Sequence, residues 1–540
     1  MSEHASPLRT TPLSKGSALL GGAFFQQSTP PVRQNHAATV ATPQNTENEP
    51  LAEEQPPKPT SLAPSRPISK IDLLAMVGNY EEGSVDDYLQ IIRDPYMRGY
   101  APADEPRLVA SKQPHDVNYP SLDEVAPQDD HVKQLIWNLR FAVVSRLRSP
   151  LRSDLDSIYD LYRRIPEPRM SHIHATLRHQ LLRVLSGPDK KDFKSMVRYF
   201  AVVSDVKNSG LLLTLPEWNG AISFASRYVG TSTEVEAQSA LKLWRELEHD
   251  AGIKGNEVTF NILFDVASKA GNFVLAEMIY KEMEERGYPF NRYHHVSLIH
   301  FFGLRKDSDG LRAAYRDMVN SGEIIDTVTL NCVIAGLLRC GEEDGAERVY
   351  ERMRDMDPRS AGIPHRSWMS NKAITKVLMM FSRLGRRHPD MQATFQGLAP
   401  LSPDLSTYRI LVNHTATKLG DLGKVTKYLE EMKYLDIPTH GSIFLALFKG
   451  FHFHGGYPGS AWSEQRLKNV WNALIRALDD DSHSIDIRTW MVIWALKAFD
   501  KCSTPGNVRE VYDQLAERWD LLAGEEQFVD SFFAKLMDQR

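Results

Sequence analysis

Residues 257–291 read EVTFNILFDVASKAGNFVLAEMIYKEMEERGYPFN, and this stretch decides the fold. Apolar residues recur at helical spacing from Val258 to Val266 and predict a first amphipathic helix. Gly271 stands where that helix would end in a left-handed cap, and a second apolar stripe follows as far as Met283. The stretch therefore predicts two helices joined by a short turn, with apolar faces too large for the pair alone to bury.

The second helix carries a spacing that recurs along the chain: a small or aliphatic residue, a bulky residue four places later, and Met or Leu three places after that. The consecutive matches are Ala240-Trp244-Leu247, Ala276-Tyr280-Met283, Leu311-Tyr315-Met318 and Ala346-Tyr350-Met353. Their last members lie 36, 35 and 35 residues apart, and a fixed period in this range indicates stacked helical hairpins. Weaker matches continue downstream at Met391-Phe395-Leu398, Val425-Leu429-Met432, Leu467-Trp471-Leu474 and Val508-Tyr512-Leu515.

The unit from Glu257 resembles a pentatricopeptide repeat, and the unit from Thr327 repeats the match two periods later. The residues that carry the resemblance are Val258, Thr259, Phe260, Asn261, Gly271, Ala276, Tyr280, Met283, Gly287 and Asn291, then Thr329, Leu330, Asn331, Gly341, Ala346, Tyr350 and Met353. The related tetratricopeptide repeat is usually about 34 residues long and has Gly inside its first helix. The resemblance implies an all-α fold, an α-solenoid wound as a right-handed superhelix of about eight to ten helix-turn-helix repeats. The irregular repeats and the Pro-rich leader look like fungal mitochondrial members of the family.

The chain is expected to divide into six segments with different characters. They are a disordered leader (1–69), an acidic Pro-rich linker or arm (70–130), degenerate N-terminal helical repeats (131–214), well-formed repeats (215–357), degenerate helical repeats (358–518) and a C-terminal capping helix (519–540). Within the second segment, residues 70–77 and 85–92 are candidate short helices. Two readings of that segment stay open: a linker with transient helices, or an arm packed on the first repeat.

Charge and composition separate the leader from the repeats. Residues 1–130 hold 10 basic and 18 acidic side chains, so the remaining 54 basic and 51 acidic residues leave the repeats slightly positive. The first 46 residues contain Arg9, Lys15 and Arg33 against the single acid Glu3. That start suits a mitochondrial transit peptide, although it is poor in Arg; a plain disordered tail is the alternative. Because members of the resembling family largely work in organelles, the expected location is the mitochondrial matrix.

The sequence offers no catalytic motif. It lacks a P-loop, a GxSxG elbow and an HExxH helix, so we expect no enzyme activity, no catalytic residues and no cofactor. Three cysteines without CxxC spacing and two His pairs at i, i+2 (His172 with His174, His452 with His454) do not predict a metal site. No apolar run reaches the length of about 20 residues that a bilayer span needs. An integral membrane segment is therefore not expected.

Resemblance to the family implies that each repeat reads about one RNA base with two or three side chains. The first-helix reading position falls on Asn219, Asn261, Val296 and Asn331, and the end-of-repeat position falls on Asn256, Asn291 and Asp326. Asn offers donors and an acceptor to a base edge, whereas Asp offers acceptors only. By the same resemblance, a pair of Asn residues favours a pyrimidine. The alternative is that these Asn residues cap and stabilise the repeat turns, since Asn favours helix starts.

The predicted function is sequence-selective binding of single-stranded RNA, a mitochondrial mRNA or rRNA precursor, in support of its processing, stability or translation. DNA is not an expected partner, whereas the mitochondrial ribosome is a candidate one. The competing class is a helical-repeat scaffold for protein partners or a component of the mitochondrial ribosome. The charge of the groove lined by the first helices would discriminate between the two.

Overall fold

The computed structural model describes residues 68–78, 83–93, 129–149, 153–187, 191–227, 232–356, 371–479, 485, 487–519, 521 and 523–538. These residues form α-helices with no β-strand among them, which confirms the predicted all-α helical-repeat class. The expected leader and most of the linker lie outside the described residues. The described residues divide into two compact units between Phe290 and Asn291, and residues 68–78 and 83–91 group with the second.

The described residues of the first unit form four helical hairpins. They are α3 (Asp130–Arg148) with α4 (Leu155–Arg163), α5 (Ala175–Leu185) with α6 (Phe193–Asn208), α7 (Leu215–Arg227) with α8 (Glu234–Arg245), and α9 (Glu257–Lys269) with α10 (Phe273–Glu285); α1 (Lys70–Val77) and α2 (Val85–Arg93) precede them. The first helices α3, α5, α7 and α9 pack one on the next, as hairpins in a solenoid do. The turn predicted at Gly271 is present, with φ of 78°.

Polar contacts tie successive second helices of this unit together. Arg286, at the end of α10, binds Glu248 of the preceding hairpin through Nη1–Oε1 at 2.6 Å and Nη2–Oε2 at 3.0 Å. The same guanidinium lies 4.5 Å from the centroid of the Phe260 ring. Bidentate geometry and an aromatic face suit arginine rather than lysine. Burial alone would lower the pKa of Arg286, but its bonds to Glu248 and Glu282 raise that pKa on balance.

The second unit stacks five further hairpins and ends in a single helix. They are α11 (Arg292–Arg305) with α12 (Ser308–Asn320), α13 (Thr327–Cys340) with α14 (Glu343–Arg354), α17 (Leu405–His414) with α18 (Leu422–Tyr434), α19 (Gly441–His454) with α20 (Glu464–Asp479), α21 (Thr489–Cys502) with α22 (Pro505–Ala516), and finally α23 (Ala523–Asp538). The intervening α15 (Asn371–Arg387) and α16 (Gln392–Gly397) stand outside this series. First helices again pack consecutively, and α13 lies directly against α17.

Helices α15 and α16 form an insert rather than a repeat hairpin. The Gln396 side chain exchanges two 2.8 Å hydrogen bonds with the backbone of Ile325, and the Ser382 hydroxyl accepts from the Ile324 amide at 3.1 Å. The insert thereby supplies polar partners to the buried segment that connects α12 to α13. The sequence match at Met391-Phe395-Leu398 is wrong as a repeat signature, because Phe395 lies in this insert. Its ring packs against a small hydrophobic cluster formed by Ile324, Ile374, Leu378 and Ala399.

The N-terminal helix α1 docks on the outside of this unit, against the second helices α12 and α14. Its Leu73, Met76 and Val77 side chains are buried, and the Tyr315 hydroxyl donates to the Leu73 carbonyl at 2.9 Å. Arg352 donates to the carbonyl of Ala75. The sequence left open whether this segment is a linker or a packed arm, and α1 behaves as a packed arm. It packs on the hairpins that begin at residues 292 and 327, not on the first repeat.

Candidate nucleic-acid interface

The residue that ends each regular repeat is also the N-cap of the next first helix. Asn256 accepts hydrogen bonds from the backbone amides of Val258 and Thr259 at 3.1 and 3.2 Å. Asn291 does the same for Tyr293 and His294, and Asp326 accepts from the Thr329 amide at 3.0 Å. These three side chains stand at helix starts because short polar side chains satisfy the exposed amides there.

Asn219 bonds to the cap of the following hairpin. Its Nδ2 donates to Asn256 Oδ1 at 3.2 Å, and its Oδ1 accepts from the Thr259 hydroxyl at 2.7 Å. Only 8% of Asn219 remains exposed. We call this arrangement the Asn–cap clip: a first-helix Asn joined to the N-cap side chain and to the Thr three residues after that cap.

Asn331 forms a second Asn–cap clip, across the insert. Its Nδ2 donates to Asp404 Oδ1 at 2.9 Å, and its Oδ1 accepts from the Thr407 hydroxyl at 2.7 Å. Asp404 caps α17 through the Thr407 amide at 2.9 Å. Asp404 is thus the end-of-repeat residue that sequence reasoning missed. The signal was present in the motif Asp404-x-x-Thr407, which matches Asn256-x-x-Thr259.

The Val296 position cannot form such a clip, because a Val side chain has no hydrogen-bonding group. Arg292 takes that role from one turn earlier: its Nη2 binds Asp326 Oδ1 and donates to the Thr329 hydroxyl at 3.1 Å. Asp326 is left 1% exposed. The pair of Val296 and Asp326 therefore presents neither a polar first-helix group nor an accessible carboxylate to a base.

Asn261 differs from the other first-helix candidates. Its side chain is half-buried, and its Oδ1 atom is itself buried and meets no hydrogen-bond donor among the described residues. A buried amide oxygen without a donor carries an unmet desolvation cost. Of the candidate residues, Asn261 is the one whose acceptor is unoccupied.

The Asn–cap clips leave specific groups unused. In the clip of Asn219, one Nδ2 hydrogen and the amide hydrogens of the half-buried Asn256 make no hydrogen bond within the described residues. This edge offers donors only. In the clip of Asn331, the second oxygen of the half-buried Asp404 makes no hydrogen bond within the described residues, whereas Asn331 itself is only 1% exposed. The two clips therefore present different groups, amide donors in one and a carboxylate acceptor in the other.

An exposed side chain stands one turn from these positions, at the second residue of several first helices. Val258 is 46% exposed on α9, Tyr293 is 47% exposed on α11 and Trp490 is 50% exposed on α21. Residues three apart on a helix share a face, so Val258 lies beside Asn261. An exposed apolar or aromatic side chain next to an amide gives a surface on which a planar base could stack and bond.

The polar pattern ends after α17. Arg409 occupies the first-helix position there and is half-buried, and burial lowers the pKa of its guanidinium. The matching positions on α19 and α21 are Leu445 and Ile493. The last hairpins therefore carry no amide at this position.

Two observations concern metal ligands and helix hydropathy in the described part of the chain. No group of three or more His, Cys, Asp or Glu side chains there is arranged to hold a metal ion. Among the described helices, none combines the length and the apolar character that crossing a bilayer requires.

Comparisons with known proteins find the same repeat. The PPR repeat family model matches residues 258–288 and 328–357. The chloroplastic pentatricopeptide repeat-containing protein of Arabidopsis thaliana is 24% identical over 180 residues, which cover 31% of this chain and 23% of that protein. The match thus spans about a quarter of that relative's length.

Among solved structures, the chain is similar to the pentatricopeptide repeat protein PPR10 from maize. The TM-score is 0.31 at 14% identity, over 86% of this chain and 59% of that one. PPR10 in complex with an 18-nt psaJ RNA element gives a TM-score of 0.29 at 15% identity, over 73% of this chain and 59% of that one.

Proposed function

We propose that this chain, which contains pentatricopeptide repeats at residues 258–288 and 328–357, binds single-stranded RNA along the starts of its first helices. The observation that carries the proposal is the pairing of first-helix Asn with a cap residue, in which polar groups are left over for a base edge. Asn219 with Asn256 and Asn331 with Asp404 supply two such pairs, and Asn261 adds a half-buried amide whose oxygen has no hydrogen-bond donor among the described residues.

The unused groups suggest which bases would fit. The Asn219 and Asn256 amides offer donors, which complement the acceptors on the Watson–Crick edge of a pyrimidine. The Asn331 and Asp404 pair offers the carboxylate acceptor of Asp404, which complements the N3–H donor of uracil. The hairpin of Val296 and Asp326 would separate these positions without reading a base, since Arg292 occupies its carboxylate.

The biological setting proposed is the mitochondrial matrix, where the protein would act on an organellar mRNA or rRNA precursor in processing, stability or translation. The support is the acid-poor start of the chain, with Arg9, Lys15 and Arg33 against Glu3. A fusion of residues 1–69 to a fluorescent protein should enter mitochondria, and the same fusion with those three cations changed to Gln should stay in the cytosol. Cytosolic fluorescence from both fusions would refute this location.

The RNA proposal is tested by selecting ligands from a random single-stranded RNA pool with the full chain. We expect a short enriched motif whose preference at one position relaxes in Asn261→Ala. The matched control is Asn472→Ala, an exposed amide on the second helix α20. Asn261→Ala leaves both Asn–cap clips intact, so circular dichroism and the melting temperature should match the wild type. The absence of any enriched motif, or an unchanged motif in Asn261→Ala, would contradict base reading.

A second candidate function concerns the C-terminal hairpins only. Their first-helix positions hold Leu445 and Ile493 instead of an amide, and Trp490 on α21 is 50% exposed. An exposed Trp without an amide at the neighbouring first-helix position suits a protein partner, such as a component of the mitochondrial ribosome, better than a base edge. Crosslinking from Trp490 replaced by a photoreactive residue would distinguish the two, because it should capture protein and not RNA.

A further inference from the structure

The first helix of the repeat region, α3, carries two large aromatic side chains on its outer surface. Trp137 is 60% exposed and Phe141 is 64% exposed, and their rings stack with centroids 5.7 Å apart at 14°. Residues four apart share one face of a helix, which explains the stacking. Both side chains stay exposed to solvent in the folded protein. Exposed apolar side chains that are grouped in this way usually mark a binding surface.

Cations alternate with the rings on the same face. At about 100° per residue, Lys133, Arg140 and Arg148 fall in the sector of α3 that also contains Trp137 and Phe141. All three cations are exposed. We call these five residues the basic–aromatic stripe. The opposite sector contains Val132, Leu139 and Val143, which are buried against the rest of the first unit.

Acidic groups are scarce on this helix. Asp130, in its first turn, pairs with Lys133 at 3.0 Å, and both side chains are exposed. No other Asp or Glu occurs between residues 131 and 148. The last helix, α23, gives the contrast: its exposed Phe528 has Glu525, Glu526 and Asp530 around it on the helix. The exposed aromatic residue on the last helix therefore has acidic neighbours, whereas Trp137 and Phe141 on α3 have basic ones.

We propose that the basic–aromatic stripe of α3 is a second binding surface for single-stranded RNA, outside the base-reading positions. Exposed rings offer platforms on which unpaired bases stack regardless of sequence, and interleaved Lys and Arg side chains neutralise the phosphates between them. A protein partner would need carboxylates to match these cations, whereas RNA supplies both the flat faces and the regular negative charge. This proposal rests on the proposed RNA-binding function and extends it to a flanking segment of the same strand.

The test uses the full chain, the RNA motif selected above, and the same RNA lengthened by about six unselected nucleotides at each end, within the range of single-strand site sizes. In W137A/F141A we expect affinity for the lengthened RNA to fall about tenfold while affinity for the short motif stays unchanged. F528A is the matched control and should bind both RNAs as the wild type does. Since Trp137 and Phe141 are exposed, the melting temperature should not move.

A second variant tests the charges. K133Q/R140Q/R148Q should lower the slope of log affinity against log salt by about 0.7 for each phosphate that the protein no longer neutralises, on the lengthened RNA only. Ultraviolet crosslinking of that RNA should label the tryptic peptide that holds Trp137 in the wild type.

The outcomes separate the two proposals. Binding of both RNAs by the wild type, with no change in either stripe variant, would overturn the role of the stripe and leave base reading intact. Loss of a copurifying protein from W137A/F141A at unchanged RNA affinity would likewise overturn it in favour of a protein surface. Failure of the wild type to bind either RNA would overturn base reading and the stripe together.

Discussion

Asn331 and Asp404 are 73 residues apart in the chain, yet Asn331 Nδ2 donates to Asp404 Oδ1 at 2.9 Å. The contact exists because the insert of α15 and α16 leaves the hairpin stack and α17 takes the next place against α13. A repeat that loses its sequence period thereby keeps the geometry of Asn219 with Asn256. The insert interrupts the sequence period, yet the hydrogen bonds between a first-helix Asn and the next cap are the same in kind on both sides of it.

Asp404→Asn should change base preference without loosening the helix. Asn and Asp cap helix starts about equally well, so the bond to the Thr407 amide is retained. The change replaces the outward acceptor with donors, and we expect the preference for uracil at that position to fall about tenfold. Fluorescence anisotropy with RNAs that differ at one base measures this. Equal base preference in wild type and variant would show that Asp404 does not read the base.

Thr407→Val should weaken the second Asn–cap clip while preserving side-chain shape. The Thr407 hydroxyl is fully buried, donates to Asn331 at 2.7 Å and accepts from the Asp404 amide at 3.0 Å. Its loss leaves both groups unsatisfied, which costs about 1–3 kcal/mol of local unfolding free energy in α17. Native-state amide exchange measures that value. Thr426→Val is the control, because the Thr426 hydroxyl is exposed and bonds only within its own helix; its effect should stay within about 0.5 kcal/mol.

Leu73→Ala should release the N-terminal arm. Leu73 is 5% exposed between α1 and the second helices α12 and α14, and truncating a buried Leu costs about 2–5 kcal/mol. We expect faster amide exchange over residues 70–77, and in α12 where Tyr315 loses the Leu73 carbonyl. Ile71→Ala changes the same helix at a side chain that is 78% exposed, and should leave exchange unaltered. Similar exchange in the two variants would mean that α1 is not held by its buried face.

The ionised carboxylate of Glu342 should make the stability of the second unit depend on pH. Its bonds from Arg312, one of them at 3.0 Å, hold the pKa of the Glu342 carboxyl below its usual value. A carboxyl with a lowered folded-state pKa stabilises the fold above its unfolded pKa, and that contribution disappears as pH falls through the folded pKa. The melting temperature of Glu342→Gln should therefore lie below that of the wild type at about pH 6 and converge with it as the pH falls through the lowered pKa of Glu342.

The control for this pH dependence is Glu430→Gln, an exposed site on α18. It should track the wild type at every pH. A Glu342→Gln difference that persists unchanged into acid would show that the pair with Arg312 does not depend on the charge of the carboxylate.

The period of the second helices was enough to predict an all-α stack of hairpins. Amphipathic helices of this length are stable only when their apolar face packs against neighbouring hairpins. The caps Asn256, Asn291 and Asp326 were also placed by the sequence, since local amides select those residue types. The sequence could not show that Asn219 and Asn331 share their amides with the following cap, or that Arg292 occupies Asp326. Those contacts join residues 34 to 76 positions apart, so only the packing of one hairpin on the next decides them.

The packing positions of the insert and of the N-terminal arm could not be predicted from the sequence for the same reason. Gln396 and Ile325 are 71 residues apart, and Tyr315 and Leu73 are 242 apart. Nothing in the local pattern of either helix specifies its partner surface. What tertiary structure decided is which polar groups remain available to a ligand, because hydrogen bonds formed inside the fold remove donors and acceptors that the residue types alone would offer.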